Sequence, residues 1–242
     1  MRFSKSYNKI YQQKGFTLIE LAIVLVIIGV LLGSFVGTLS SRIDTTRYDE
    51  TRGELEDIKA SLIAYAFSVG AGGPYLPCPD ADGDGISELT CSVADFGSLP
   101  WVTLGLGAAD SWNNRYEYWV KNTYSNTALA FDLSTSANGE IRTRRNDGTL
   151  ADLLVASNVV AVIYSRGKNG LGAVATDGSV RSSIPLTGHE DEIENSDGGL
   201  TFISRPPTYE DDTTDVGTFD DIVIWISEYE LKAKMVETGV LP

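Results

Sequence analysis

The distribution of apolar and polar positions divides the chain into three regimes. Phe16 to Leu39 is apolar: 24 residues without a Lys, Arg, Asp, Asn, Gln, His or Pro. As a helix it is about 36 Å long, enough to cross a bilayer with some tilt. Glu20 is its single charged residue, and a carboxylate in a spanning segment calls for a partner. The pattern then becomes amphipathic. From Tyr48, apolar residues recur at Leu55, Ile58, Leu62, Tyr65 and Val69, at spacings of 7, 3, 4, 3 and 4. This predicts one buried helix face, with Gly70 to Pro74 as its stop. The third regime is loop and strand. Residues 74–111, rich in Pro and Gly, read as a loop with little regular structure. Strands are predicted over Tyr116 to Lys121, Thr127 to Leu133 and Glu140 to Arg144, with Asn138-Gly139 as a turn between the last two. Val159 to Tyr164 reads as a buried strand stopped by Arg166 to Gly170. Residues 187–218 read as an acidic loop around a short strand, Gly199 to Ser204. Phe219 to Ile226 is the last strand, and Glu228 to Glu237 a terminal helix. The expected fold class is α+β, a long amino-terminal helix packed on an antiparallel β-sheet.

Charge gives this pattern a direction. The chain has 242 residues and a formal charge of −14. Its first fifteen residues carry Arg2, Lys5, Lys9 and Lys14 and no acid; without them 15 Lys and Arg face 33 acids, a side-chain charge of −18. By the positive-inside rule the basic end stays cytoplasmic and the acidic domain faces outward. So acidic a body repels phosphate, which argues against nucleic acid bound by a basic surface and points to cations as partners. The two cysteines, Cys78 and Cys91, fall in the exported part, where a pair closing a short loop reads as a disulfide. The alternative is two buried free thiols. With His189 as the single histidine, a structural zinc site is not supported.

Lys14-Gly15-Phe16-Thr17-Leu18-Ile19-Glu20, preceded by the basic leader and followed by the apolar helix, resembles the type IV prepilin (class III signal) family. The resemblance implies three segments: a leader, 1–15, that is removed; a transmembrane and assembly helix, 16–39; and a periplasmic pilin-like domain, 40–242. It places the prepilin peptidase cut between Gly15 and Phe16 and an N-methylated amine on Phe16. It also implies that Glu20 neutralises the amino terminus of a neighbouring subunit during assembly. Self and other pilin-like subunits, the peptidase, the inner-membrane assembly platform and the membrane are then the expected partners. Gly33 and Gly37 form a Gly-x-x-x-Gly, which allows close helix approach; the Pro that structural pilins often carry near Gly37 is missing. Asp110-Ser-Trp-Asn-Asn-Arg-Tyr-Glu-Tyr118, Ser165 to Gly170 and Phe219-Asp-Asp-Ile-Val-Ile-Trp225 resemble three ordered motifs of the type II secretion pseudopilins.

Two acidic stretches are candidates for calcium. Asp80-x-Asp82-x-Asp84-Gly85 matches the first half of an EF-hand loop. The residue that should close that loop is Cys91, so it is not an EF-hand, although Glu88 offers a carboxylate from another place. The second stretch holds His189 to Glu194, Asp197, Glu210 to Asp212, Asp215, Asp220 and Asp221, opposed by Arg205. The pseudopilin resemblance implies a structural calcium before the last strand, with Asp220 or Asp221 as ligand and the others unassigned. A solvated acidic face is the plain alternative at both. No nucleophile motif, phosphate loop or acid–base constellation is present, so no enzyme is expected. The leading expectation is a structural subunit of a type II secretion or type IV pilus filament. A membrane-tethered, calcium-dependent binding domain is the rival from another class, and an anchored hydrolase the weakest.

Overall fold

The computed structural model describes residues 15–68, 72–89, 91, 95–125, 129–144, 153–208 and 217–242, with 34–41 as backbone alone. By internal packing the chain divides into two compact units, Met1–Thr45 and Thr46–Pro242.

Helix α1 is continuous over Leu18–Ser68. In the first unit its large apolar side chains, Leu18 to Leu32, are all exposed, so this half of the helix has no core of its own. Among the described residues no helix is long and apolar enough to cross a membrane. The side chains described within the apolar stretch end at Gly33. In the second unit α1 buries Thr51, Leu55, Ile58, Leu62 and Ala66. The predicted stripe therefore holds as far as Leu62 and then continues to Ala66, one residue beyond Tyr65. Tyr65 sits at the margin, edge-on to Tyr75 at 6.0 Å, and Val69 lies outside the described residues.

Six strands follow: β1 Phe96–Ser98, β2 Glu117–Val120, β3 Gly139–Thr143, β4 Leu153–Ser165, β5 Thr201–Ile203 and β6 Ile222–Ser227. Short helices α2 Trp101–Leu104 and α3 Glu190–Glu194 interrupt them, and α4 Glu228–Glu237 ends the fold where it was expected. The thirteen-residue β4 is the hub. Its residues 161–164 pair antiparallel with β2 and with β6, which therefore flank it on opposite edges, and its amino-terminal half pairs with β3.

The sheet is mixed, not antiparallel as expected, because β5 pairs parallel with β3. β4 and α3 intervene between these strands, so the chain returns alongside β3 in the same direction. Both faces of the sheet are covered. Tyr118, Val120, Ile163, Ile222, Ile224 and Ile226 pack with α1 and α4. Trp119, Ile141, Val162, Tyr164, Phe202 and Val223 form a second core on the other face.

Two further expectations are corrected. Leu129 to Leu133, the described part of the predicted strand from Thr127, is not a strand. Asp132 accepts hydrogen bonds from the N–H groups of Ser134 and Thr135, at 2.8 and 2.9 Å, and so closes a local turn. Gly139 does not form a turn either; it begins β3. A Cβ there would lie 2.7 Å from the Val159 carbonyl oxygen and 3.0 Å from the Trp119 ring, so glycine serves a close approach.

Candidate functional site

At the start of α1, Thr17 and Glu20 form a reciprocal cap. Thr17 N–H and Oγ1 donate to Glu20 Oε2 at 2.9 and 2.8 Å, and Glu20 N–H donates to Thr17 Oγ1 at 3.3 Å. Glu three residues after a capping Thr is the capping-box pattern, which satisfies donors the first helical turn leaves open. Gly15 and Phe16 lie just before it, outside the helix, with Phe16 exposed.

Cys78 and Cys91 are joined, with Cα atoms 5.4 Å apart. The loop they close is held to β1 by a bridge between Asp80 and Ser98. Asp80, Asp82 and Glu88 bring carboxylate oxygens within 4.8 Å of one another; Asp84 is not in the group. These acids serve their own turns. Asp80 accepts from the N–H groups of Gly83 and Gly85, at 2.7 and 3.0 Å. Asp82 accepts from Asp84 N–H at 3.1 Å, Asp84 from Ile86 N–H at 2.7 Å, and Glu88 from Ala81 N–H at 3.3 Å.

The second cluster is different in kind. Glu192 of α3 and Asp220 and Asp221, just ahead of β6, bring carboxylate oxygens within 4.8 Å, and all three residues are buried. Several elements hold them. Asn169 donates its backbone N–H to Asp220 and its side-chain amide to Glu192, both at 2.8 Å. His189 Nδ1 lies 2.9 Å from Glu192 Oε2. The Asn195 amide donates to Asp221 Oδ2 at 2.9 Å and exchanges two hydrogen bonds with the backbone of Ile203, capping the end of β5. One oxygen, Asp220 Oδ1, is buried and has no hydrogen-bond partner among the described residues.

Nearby cations are engaged elsewhere. Arg166 is bidentate to Glu117, at 2.9 and 2.7 Å, and Arg205 pairs with Asp191 at 2.6 Å. Burial, chiefly, pushes the Asp220 carboxyl up to about 7, with Glu192 adding to the rise and the backbone N–H groups of Asn169 and Lys168 opposing it. Burial lifts Asp221 well above the usual carboxylate range; Arg166 opposes this, while Glu192 and Asp220 reinforce it. Three buried acids with an orphan oxygen fit a hard cation with oxygen ligands.

Gly167 sets this geometry. Its φ is +58°, and a Cβ would lie 2.2 Å from the Asp220 carbonyl oxygen. Gly167→Ala is expected to destabilise the fold by about 1–3 kcal/mol. Gly178→Ala, also at positive φ but with nothing within 4 Å, should cost less. Paired thermal melts check the order.

Residues 10–36 match the family described as the prokaryotic N-terminal methylation motif. The chain carries the type IV prepilin and pseudopilin signature. No curated protein and no solved structure matches the chain. The signature covers Gly15, Phe16 and Glu20, and the α+β fold behind it is consistent with a pilin-like domain. It suggests a membrane-anchored, structural subunit that is processed by prepilin peptidase and assembles with other pilin subunits. Of the acids expected to bind metal, Asp220 and Asp221 come together with Glu192, which sequence reasoning left unassigned. Its signal was there, in the acidic run after His189, but nothing local separates it from Glu190 or Glu194.

Proposed function

We propose that this chain is a pilin-like or pseudopilin subunit of a type II secretion or type IV pilus filament. Prepilin peptidase cuts it between Gly15 and Phe16, and the new Phe16 amine is methylated. The apolar stretch from Phe16 to Leu39 remains as a single inner-membrane anchor, with the disulfide-bonded acidic domain in the periplasm. The observation that carries this reading is the methylation motif over residues 10–36. The exposed apolar half of α1 supports it, because such a surface requires lipid or other helices to cover it. Glu20 then exchanges its Thr17 partners for a neighbour's amino terminus during assembly, an ion pair favoured in a low-dielectric bundle.

A structural calcium belongs to the same reading, held by Glu192, Asp220 and Asp221. It would supply the positive charge that this buried triad lacks, and the orphan Asp220 oxygen supports it.

Mass spectrometry of membrane-extracted protein tests the cut: the mature chain should begin at Phe16, and Gly15→Val should retain the leader. Intact Met1 protein in cells with active peptidase would sink the assignment. Glu20 is tested by two variants. Gln at this position keeps the capping pattern and removes the charge. Both Glu20→Gln and Glu20→Ala should be cleaved normally yet fail to form filaments. If Glu20→Gln assembles as wild type, Glu20 serves only as a cap.

A further inference from the structure

Two surface features lie at opposite margins of the sheet. β2 and β6 flank β4 on opposite edges, so β1, beyond β2, and β6 are the two margins of this part of the sheet. Outside β1, the disulfide loop presents Ile86 and Leu89, 53% and 85% exposed. Asp82, Asp84 and Glu88 surround them in sequence, so the loop is an apolar knob in an acidic collar. Beside β6 lies a groove of about 540 Å³, with Val155, Pro206, Pro207 and Trp225 in its walls and Arg52, Glu56 and Lys59 of α1 along one side. Lys59 is paired with Glu230 at 2.7 Å. Arg52 is exposed and has no ion pair among the described residues.

We infer that these two features meet between successive copies of the chain: the disulfide loop of one subunit seats Ile86 and Leu89 in the β6 groove of the next, with Asp84 facing Arg52. The inference rests on the assembly reading above and names the contact between exported domains. The charge of the chain selects the occupant. At a side-chain charge of −18 without the leader, two copies repel each other over most approaches. The groove has apolar walls, the acids Glu56 and Asp221, and one exposed guanidinium without an ion pair among the described residues, so an acidic loop finds its opposite charge at Arg52, and that charge pair would set its register. Because knob and groove are different patches on opposite margins, the contact is heterologous. Each docked copy leaves one knob and one groove unused, which propagates a fibre in one direction.

Site-specific photocrosslinking tests this in the full-length protein in its own membrane. Benzoylphenylalanine replaces Leu89, leaving both cysteines in place. Ultraviolet light should give an adduct of two copies, with the crosslink mapping to residues 204–207 or Trp225 of the second. Arg52→Asp should lower its yield about tenfold, and adding Asp84→Arg should restore it. Loss without rescue overturns the pairing, so a merely misfolded variant cannot support it. An adduct to another polypeptide, an adduct elsewhere on the second copy, or no adduct also overturns it. If filaments still form in those cases, the proposed function stands and only this contact fails. If neither filaments nor the Phe16 terminus are found, both fall.

Discussion

Arg166→Met is expected to destabilise the compact unit Thr46–Pro242 by about 3–5 kcal/mol. The reason is the unpaired acid it leaves behind. Glu117 points into the second core, where Arg166 contacts it through two hydrogen bonds, at 2.9 and 2.7 Å. Tyr164 OH donates to the same carboxylate at 2.6 Å, and all three residues are buried. Removing the guanidinium strands a buried charge, whereas removing both charges costs far less. The double variant Arg166→Met, Glu117→Gln should therefore recover most of the loss, because Gln still accepts from Tyr164. In a domain whose whole stability is about 5–15 kcal/mol, the single variant should melt roughly 10 °C lower. Denaturation of the detergent-solubilised chain measures both. A loss under about 1 kcal/mol, or a double variant no better than the single, would show that the pair is not an isolated buried charge couple.

This pair also shows why part of the fold is legible from residues alone and part is not. α4 and the start of α1 can be read locally, because caps, periodicity and charge act within a turn. Ser227 Oγ accepts from Glu230 N–H at 3.2 Å, fixing the start of α4 at the end of β6. Within β2, Glu117, Tyr118, Trp119 and Val120 are all buried, so the usual alternation is absent and only the aromatic content signals a strand. Both faces are covered because the sheet carries α1 and α4 on one side and packs the second core on the other. β1 and β5, each three residues long, are too short for periodicity and exist through their partners, β2 and β3. The same limit applies to the acids. Asp220 and Asp221 sit beside a recognisable strand, but Glu192 reaches them from 28 residues earlier, by way of α3. Gly167 and Asn169, in the turn after β4, shape the cluster through space. No local pattern encodes that meeting.

In chelator, the protein should lose stability as pH rises from about 4 to about 7, the reverse of ordinary acid denaturation. Burial raises the Asp220 carboxyl to about 7 and lifts Asp221 as well. In this window the folded state holds protons that the unfolded chain has released. Unfolding therefore releases protons, and stability falls as their concentration drops. A cation at Glu192, Asp220 and Asp221 would replace those protons. Calcium should then restore the melting temperature at pH 7.5 and change little at pH 5, where Asp220 and Asp221 already hold their protons. A hundredfold excess over the dissociation constant corresponds to about 2.7 kcal/mol. Magnesium, which demands a stricter octahedron and sheds water reluctantly, should restore less. Asp220→Asn removes one of the two titrating groups and a proposed ligand together, so it should reduce the pH dependence to the share of Asp221 and weaken the calcium response. Asp82→Ala with Asp84→Ala should leave both intact, since those carboxylates are already engaged by the N–H groups of their own loop. A melting temperature in chelator that is flat or rising across this range, with no response to calcium, would mean that the folded triad holds no extra protons and is accommodated by its hydrogen bonds to Asn169, His189 and Asn195 alone.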